Sequence, residues 1–291
     1  MKYKKIMGLL VLIIVVFSLL ASVYGVFSNQ GPGPYEFTSL HGQQVPIYGK
    51  GLYKNESLSM AVQAKSQDVV TLFLGIPLLL ISFFVARKNS LRGRLLLTGT
   101  LGYFLYTYAV YTFVAMYNSF FLVFVGIMST SFFAFILMLM SFDLEEIKTA
   151  FNDKLPVKFI GGFLLLIGAA VVLMWLGRVG PPLINGTVPA GLEHYTTLVI
   201  QGLDLGILIP AQIIAGVLLI KREPFGYLLS SILIIKIITL LTAMSAMIVG
   251  QALAGVQMGI VEISIFPLFN IIAIYCLILI LKNVKPVFQL I

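Results

Sequence analysis

Long apolar runs broken by short polar turns recur along the whole chain. Eight runs stand out, over residues 6–27, 69–86, 95–116, 119–142, 159–176, 198–220, 227–249 and 263–281. Each is long enough to cross a hydrocarbon core of about 30 Å as a helix. In lipid the backbone polar groups must be satisfied within the segment, so the runs predict helices. The expected fold is all-α: a polytopic transmembrane helical bundle of about eight spans. Residues 1–291 form one integral membrane domain with no soluble domain. The two long polar stretches, 28–67 and 178–197, are expected as extracytoplasmic loops.

Composition agrees with the pattern. Hydrophobic residues make up 59% and charged residues 10% of the chain, against about 45–50% and about 25% in soluble domains. The net charge of +8 first suggests nucleic acid. The basic residues, however, fall in turns between apolar runs, so the partner they imply is a lipid bilayer and not nucleic acid.

Their distribution orients the chain. With the N-terminus inside, Lys2, Lys4, Lys5, Arg87, Lys88, Arg92, Arg94, Lys148, Lys154, Lys158, Lys221, Arg222, Lys282 and Lys285 are cytoplasmic, 14 of 19 basic residues. Lys50, Lys54, Lys65 and Arg178 are outside. Both termini are therefore expected in the cytoplasm and the protein in the cell membrane. The first run, behind Lys2, Lys4 and Lys5, also has the outline of a signal peptide. Its length favours a retained span.

No GxxxxGK[ST] loop and no strand-borne GxGxxG is present, and no cytoplasmic segment is long enough to hold a nucleotide. The single Cys276 excludes an intrachain disulfide and a cysteine-based metal centre. No metal is expected, and no cofactor is indicated. Asn55-Glu-Ser57 and Asn185-Gly-Thr187 match the glycosylation pattern on the outer side.

The halves 1–142 and 143–291 share a plan. Each has an outer loop with Gly-Leu (Gly51, Gly191), an acid (Asp68, Asp204), a proline (Pro77, Pro210), a basic turn and a glycine (Gly93, Gly226). Tyr103 and Lys236 lie ten residues after those glycines. Four spans per half give a 4+4 parallel repeat about the membrane normal. Serial hairpins with acids outside and bases inside account for the same spacing.

Lys236 stands in the middle of an unbroken apolar run. A lysine there costs about 2.5–3.5 kcal/mol on insertion scales and marks a site facing protein. Asp204 is the partner within reach. Asp68 and Glu262 precede Pro77 and Pro267 and read as helix N-caps. Alternatively they line a cation- or proton-accessible cavity with Asp204. Glu193-His194-Tyr195, with His41 and Glu36, has the residue types for acid–base work but no metal-motif spacing. Tyr103 and Tyr106 share a helix face and can hydrogen-bond inside the bundle. Lys236, Asp204, Glu193, His194, Asp68, Glu262, Tyr103 and Tyr106 are thus the candidate ligand- or ion-binding residues.

The stretch from Ser90 to Tyr108, SLRGRLLLTGTLGYFLYTY, then Tyr117-Asn118, and the stretch from Leu203-Asp204 to Lys236, resemble an uncharacterised family of prokaryotic polytopic membrane proteins. The resemblance covers the chain from about Gly51 onward. It implies the multi-pass fold and brings no activity, cofactor or catalytic residue.

The residues point first to a small-solute or proton/cation-coupled transporter with a polar site in the bundle. The alternatives are a membrane-embedded enzyme at the outer face, built on His194 and Glu193, and a non-catalytic accessory subunit. Expected partners are lipid, a small solute or ion, and another membrane protein or a second copy.

Overall fold

A computed structural model describes residues 3–255 and 260–285, without the side chains of residues 148 and 260–262. Among the described residues the regular structure is helical apart from one hairpin in the segment after the first helix.

Helix α1 (Lys4–Phe27) buries Met7, Val11, Ile14, Ser18, Ala21, Ser22 and Gly25. This stripe recurs every three or four residues, the period of one helix face. Leu9, Leu12, Leu19 and Leu20, off the stripe, are exposed and suit lipid. Strands β1 (Tyr35–Thr38) and β2 (Gln44–Ile47) pair antiparallel, Tyr35 opposite Ile47. β2 turns Val45 and Ile47 inward.

Helix α2 runs Leu58–Arg87. It therefore begins inside the stretch read as an outer loop. The apolar run starts late because Gln63, Lys65, Ser66, Gln67 and Asp68 occupy the helix's first turns. The start signal is Ser57, whose hydroxyl accepts from the Met60 N–H at 3.2 Å, an ordinary N-cap. One π-helical turn, Thr71–Gly75, interrupts α2 just before Pro77.

Helices α3 (Leu91–Val114), α4 (Phe121–Leu139) and the short α5 (Leu144–Ala150) follow. Helix α6 (Val157–Asn185) continues through Pro181 and Pro182, nine residues past the expected end of its run. These prolines supply no N–H to the carbonyls of Gly177 and Arg178, and Gly186 ends the helix at φ 65°. Helix α7 (Val199–Ile220) carries a second π-helical turn, Asp204–Leu208, before Pro210. Helices α8 (Pro224–Leu253) and α9 (Ile260–Asn283) complete the chain.

Seven of these helices are long and apolar enough to span a membrane: α1, α2, α4, α6, α7, α8 and α9. The eighth expected span, α3, is not among them. That helix has the length, 24 residues, but Thr98, Thr100, Thr107 and Thr112 with Tyr103, Tyr106, Tyr108 and Tyr111 lower its hydropathy. Protein contacts compensate. α3 packs against α2, α4 and α8, and over half of its side chains are buried. At its crossing with α8, a Cβ on Gly99 would stand 2.6 Å from Ile235 Cβ and 3.0 Å from the Ile232 carbonyl. Only glycine allows that approach.

The apolar core divides in two at α3. One part joins α1, α2, α3 and α4 around Ile14, Leu79, Leu101, Phe104 and Phe124. The other joins α5 to α9 with the start of α3, around Leu95, Ile160, Leu164, Ile234 and Cys276. Arg94, near the start of α3, pairs with Glu146 at 3.4 Å and donates to the Ser141 carbonyl at 2.6 Å.

Candidate functional site

Polar side chains gather in three places: two inside the bundle and one where the segments after α1 and α6 meet.

The first is built on α8. Lys236 is 5% exposed. Its Nζ lies 3.7 Å from the centroid of the Tyr106 ring and has no hydrogen-bond partner among the described residues. The ring face offers a cation about 2 kcal/mol when the pair is desolvated. The Tyr106 hydroxyl donates to Asp204 Oδ1 at 2.6 Å. The Trp175 indole N–H donates to Asp204 Oδ2 at 2.9 Å. Three helices thereby converge on Asp204, which opens the π-helical turn of α7. The expected Lys236–Asp204 contact is absent: Tyr106 from α3 stands between them, and among the described residues the ion pair is Arg94–Glu146.

The second is built on Asp68, which is fully buried. It lies ten residues into α2 and is not the cap expected of it; Ser57 fills that role. The Tyr53 hydroxyl donates to Asp68 Oδ2 at 2.6 Å. The Tyr111 hydroxyl shares its proton between Oδ1 at 3.2 Å and the Ala64 carbonyl at 2.9 Å. Burial and the Asp68 carboxylate raise the Tyr53 phenol well above its ordinary value, keeping it a donor. Gly25 makes the room, since a Cβ there would stand 1.9 Å from Asp68 Oδ2. Next door, Tyr103 receives the Gln67 amide at 2.6 Å and lies 2.7 Å from the Thr71 hydroxyl. The candidates Tyr103 and Tyr106 therefore serve different centres.

The third ties the segment after α1 to the segment after α6. Glu56 is 3% exposed. It accepts from the Met116 N–H at 2.7 Å and the Tyr195 hydroxyl at 2.5 Å. Burial is the main cause that lifts the Glu56 carboxyl to about 7, with nearby Glu193 adding to it and the two hydrogen bonds opposing. Burial and the Glu56 carboxylate raise Tyr195 well above the phenol range. His194 Nε2 meets the Asn55 carbonyl at 3.0 Å, and its ring lies beside Phe37 and Tyr195. His194 Nδ1 and Glu193 Oε2 are buried without a partner. His41 and Glu36 are exposed on the hairpin. No group of three metal-ligating side chains occurs among the described residues. The side chain of Glu262 lies outside the described residues.

Sequence reading missed Trp175, Tyr53 and Glu56. Two signals were available. A lone tryptophan in an apolar run needs an acceptor for its N–H. A glutamate between an asparagine and a helix-capping serine sits where the polar segment after α1 meets the bundle.

No family model, curated protein or solved structure matches this chain. Its seven apolar helices make it a multi-pass membrane protein whose surroundings are a lipid bilayer.

Proposed function

We propose that the chain is a small-solute carrier, coupled to a proton or cation, with its polar site at Lys236, Tyr106, Asp204 and Trp175. The observation that carries this reading is the buried Lys236 ammonium. It is held by a ring face, with none of its three N–H donors hydrogen-bonded within the described residues. Merely structural buried charges are paired or hydrogen-bonded. Here the nearby carboxylate is already engaged by Tyr106 and Trp175, which leaves the ammonium free to meet a solute.

Part of the same proposal is a repeat of two four-span units, with α3 as the eighth crossing, and a constant spacing supports it. The π-helical turns begin at Thr71 and Asp204, the prolines are 77 and 210, the glycines 93 and 226, and the polar positions 103 and 236. Each step is 133 residues. A Cβ on Gly93 would collide with the backbone of Val85 and Ala86, and one on Gly226 with that of Leu218 and Leu219. Those neighbours are again 133 residues apart. In this register the Thr71–Tyr103 contact corresponds to the Asp204–Lys236 position, and Asp68 corresponds to the buried Gln201. Carriers built from repeats place their sites near the bilayer midplane, at interrupted helices. The basic inner turns support cytoplasmic termini and a cell-membrane location.

Trp175 is the chain's single tryptophan, so its fluorescence reports this site. Purified protein titrated with separate small carboxylates, amino acids, amines and sugars should show a saturable change with one class. The change should vanish in Lys236→Met, and the responding solute should enter proteoliposomes. Identical responses of parent and Lys236→Met to every solute would refute the reading.

A further inference from the structure

We propose that Asp68 is a binding site for one monovalent cation, a proton or a sodium ion, separate from the Lys236 site. The polar atoms closest to its carboxylate are hydroxyl oxygens, those of Tyr53, Tyr111 and Ser22. Tyr53 from the outer loop and Tyr111 from α3 each donate one hydrogen bond to the carboxylate. Ser22 on α1 lies against it, and Tyr108 on α3 lies beside Ser22. Both hydroxyls are fully buried, and at hydrogen-bond distance neither has a partner among the described residues.

The charge count selects the ligand. A fully buried carboxylate needs one positive charge to neutralise it, and among the described residues no side chain provides it by direct contact. Lys65 acts on Asp68 only through space; its ammonium donates to the Tyr48 hydroxyl at 3.2 Å and sits 5.6 Å from that ring's centroid. A divalent ion would leave the pocket positive. Two neutral hydroxyls without partners can complete the oxygen set around sodium, or accept from a protonated carboxyl. Binding adds one positive charge to one carboxylate and releases nothing else. Gly25 lets α1 pack directly against this carboxylate, because a Cβ there would stand 1.9 Å from Asp68 Oδ2. The other titratable group close by is Tyr103 on α3, which is hydrogen-bonded to Gln67 and Thr71. The site stands whether or not a solute is carried. Its role as the coupling ion rests on the carrier reading.

The test is thermal melting of the purified full chain, read by Trp175 fluorescence, in a Glu56→Gln background that removes the outer carboxyl. Sodium chloride is exchanged for choline chloride at constant ionic strength, and pH is varied separately. A sodium site gives a saturable rise in melting temperature with sodium that Asp68→Asn abolishes. A proton site gives no sodium effect but a rise on acidification that Asp68→Asn abolishes. Should Asp68→Asn fail to fold, Ser22→Ala and Tyr108→Phe retain the carboxylate and should move the midpoint of the same response several-fold. The proposal fails if the Glu56→Gln parent responds to neither cation. It also fails if the response persists in Asp68→Asn, or if Ser22→Ala and Tyr108→Phe both leave the midpoint unchanged. A chain that binds this cation but shows no solute response at Trp175 would sink the carrier reading alone.

Discussion

A single hydroxyl decides whether the Asp204 centre holds together. Tyr106 presents its ring to Lys236 and its oxygen to Asp204. Tyr106→Phe keeps the ring but leaves Asp204 Oδ1 without its donor, and an unsatisfied buried acceptor costs about 1–3 kcal/mol. The variant should melt lower by that amount, and Tyr106→Leu, which also loses the ring face, lower still. Equal stability of the three proteins would show that the contact contributes nothing. Glu56 gives a pH dependence of known sign. Its carboxyl moves from 4.5 to about 7 on folding, so the folded state holds the proton more tightly. The stabilisation is complete below the unfolded value and disappears as pH rises through about 7. At about 1.4 kcal/mol per unit it amounts to roughly 3 kcal/mol. Glu56→Gln should flatten the stability curve between pH 5 and 8, measured by denaturant unfolding in mild detergent. An unchanged slope would remove Glu56 as the cause.

At the scale of elements, the informative features are where helices start and where they loosen. Ser57 starts α2, and Ser57→Ala should cost about 1 kcal/mol and fray the first turn. Amide exchange of residues 58–62 reads this directly, and protection equal to the parent's would discount the cap. The π-helical turns at Thr71–Gly75 and Asp204–Leu208 each precede a proline that supplies no N–H. The prolines were visible in the sequence; the turns were not. Whether a helix answers a missing donor by kinking or by widening one turn depends on the helices packed around it. The start of α2 was legible only in part. A hydropathy reading discards a polar first turn, whereas the serine cap, seen beside it, places the start correctly.

For the whole molecule, orientation is open to direct measurement. In a Cys276→Ala background, cysteines at Lys54 and Asn185 should react from outside with an impermeant thiol reagent. Cysteines at Lys88 and Lys282 should react only after the membrane is permeabilised. All four side chains are exposed, so accessibility reports membrane side and not burial. Labelling at position 88 in intact cells would reverse the assignment. The all-helical, multi-pass character of the chain came from its sequence alone, because a run of apolar residues longer than a bilayer core leaves the backbone no alternative to a helix. So did the expectation that Lys236 faces protein, since its cost in lipid is a local property of the residue. The tertiary structure decided the partners. It put Tyr106 between Lys236 and Asp204 and drew Trp175 from α6 onto the same carboxylate. It also moved Asp68 from a helix cap to a buried cage closed by Tyr53 and by Gly25 of α1. Those contacts join residues far apart in the chain. They depend on the rotation and depth of each helix, which packing sets and hydropathy leaves free.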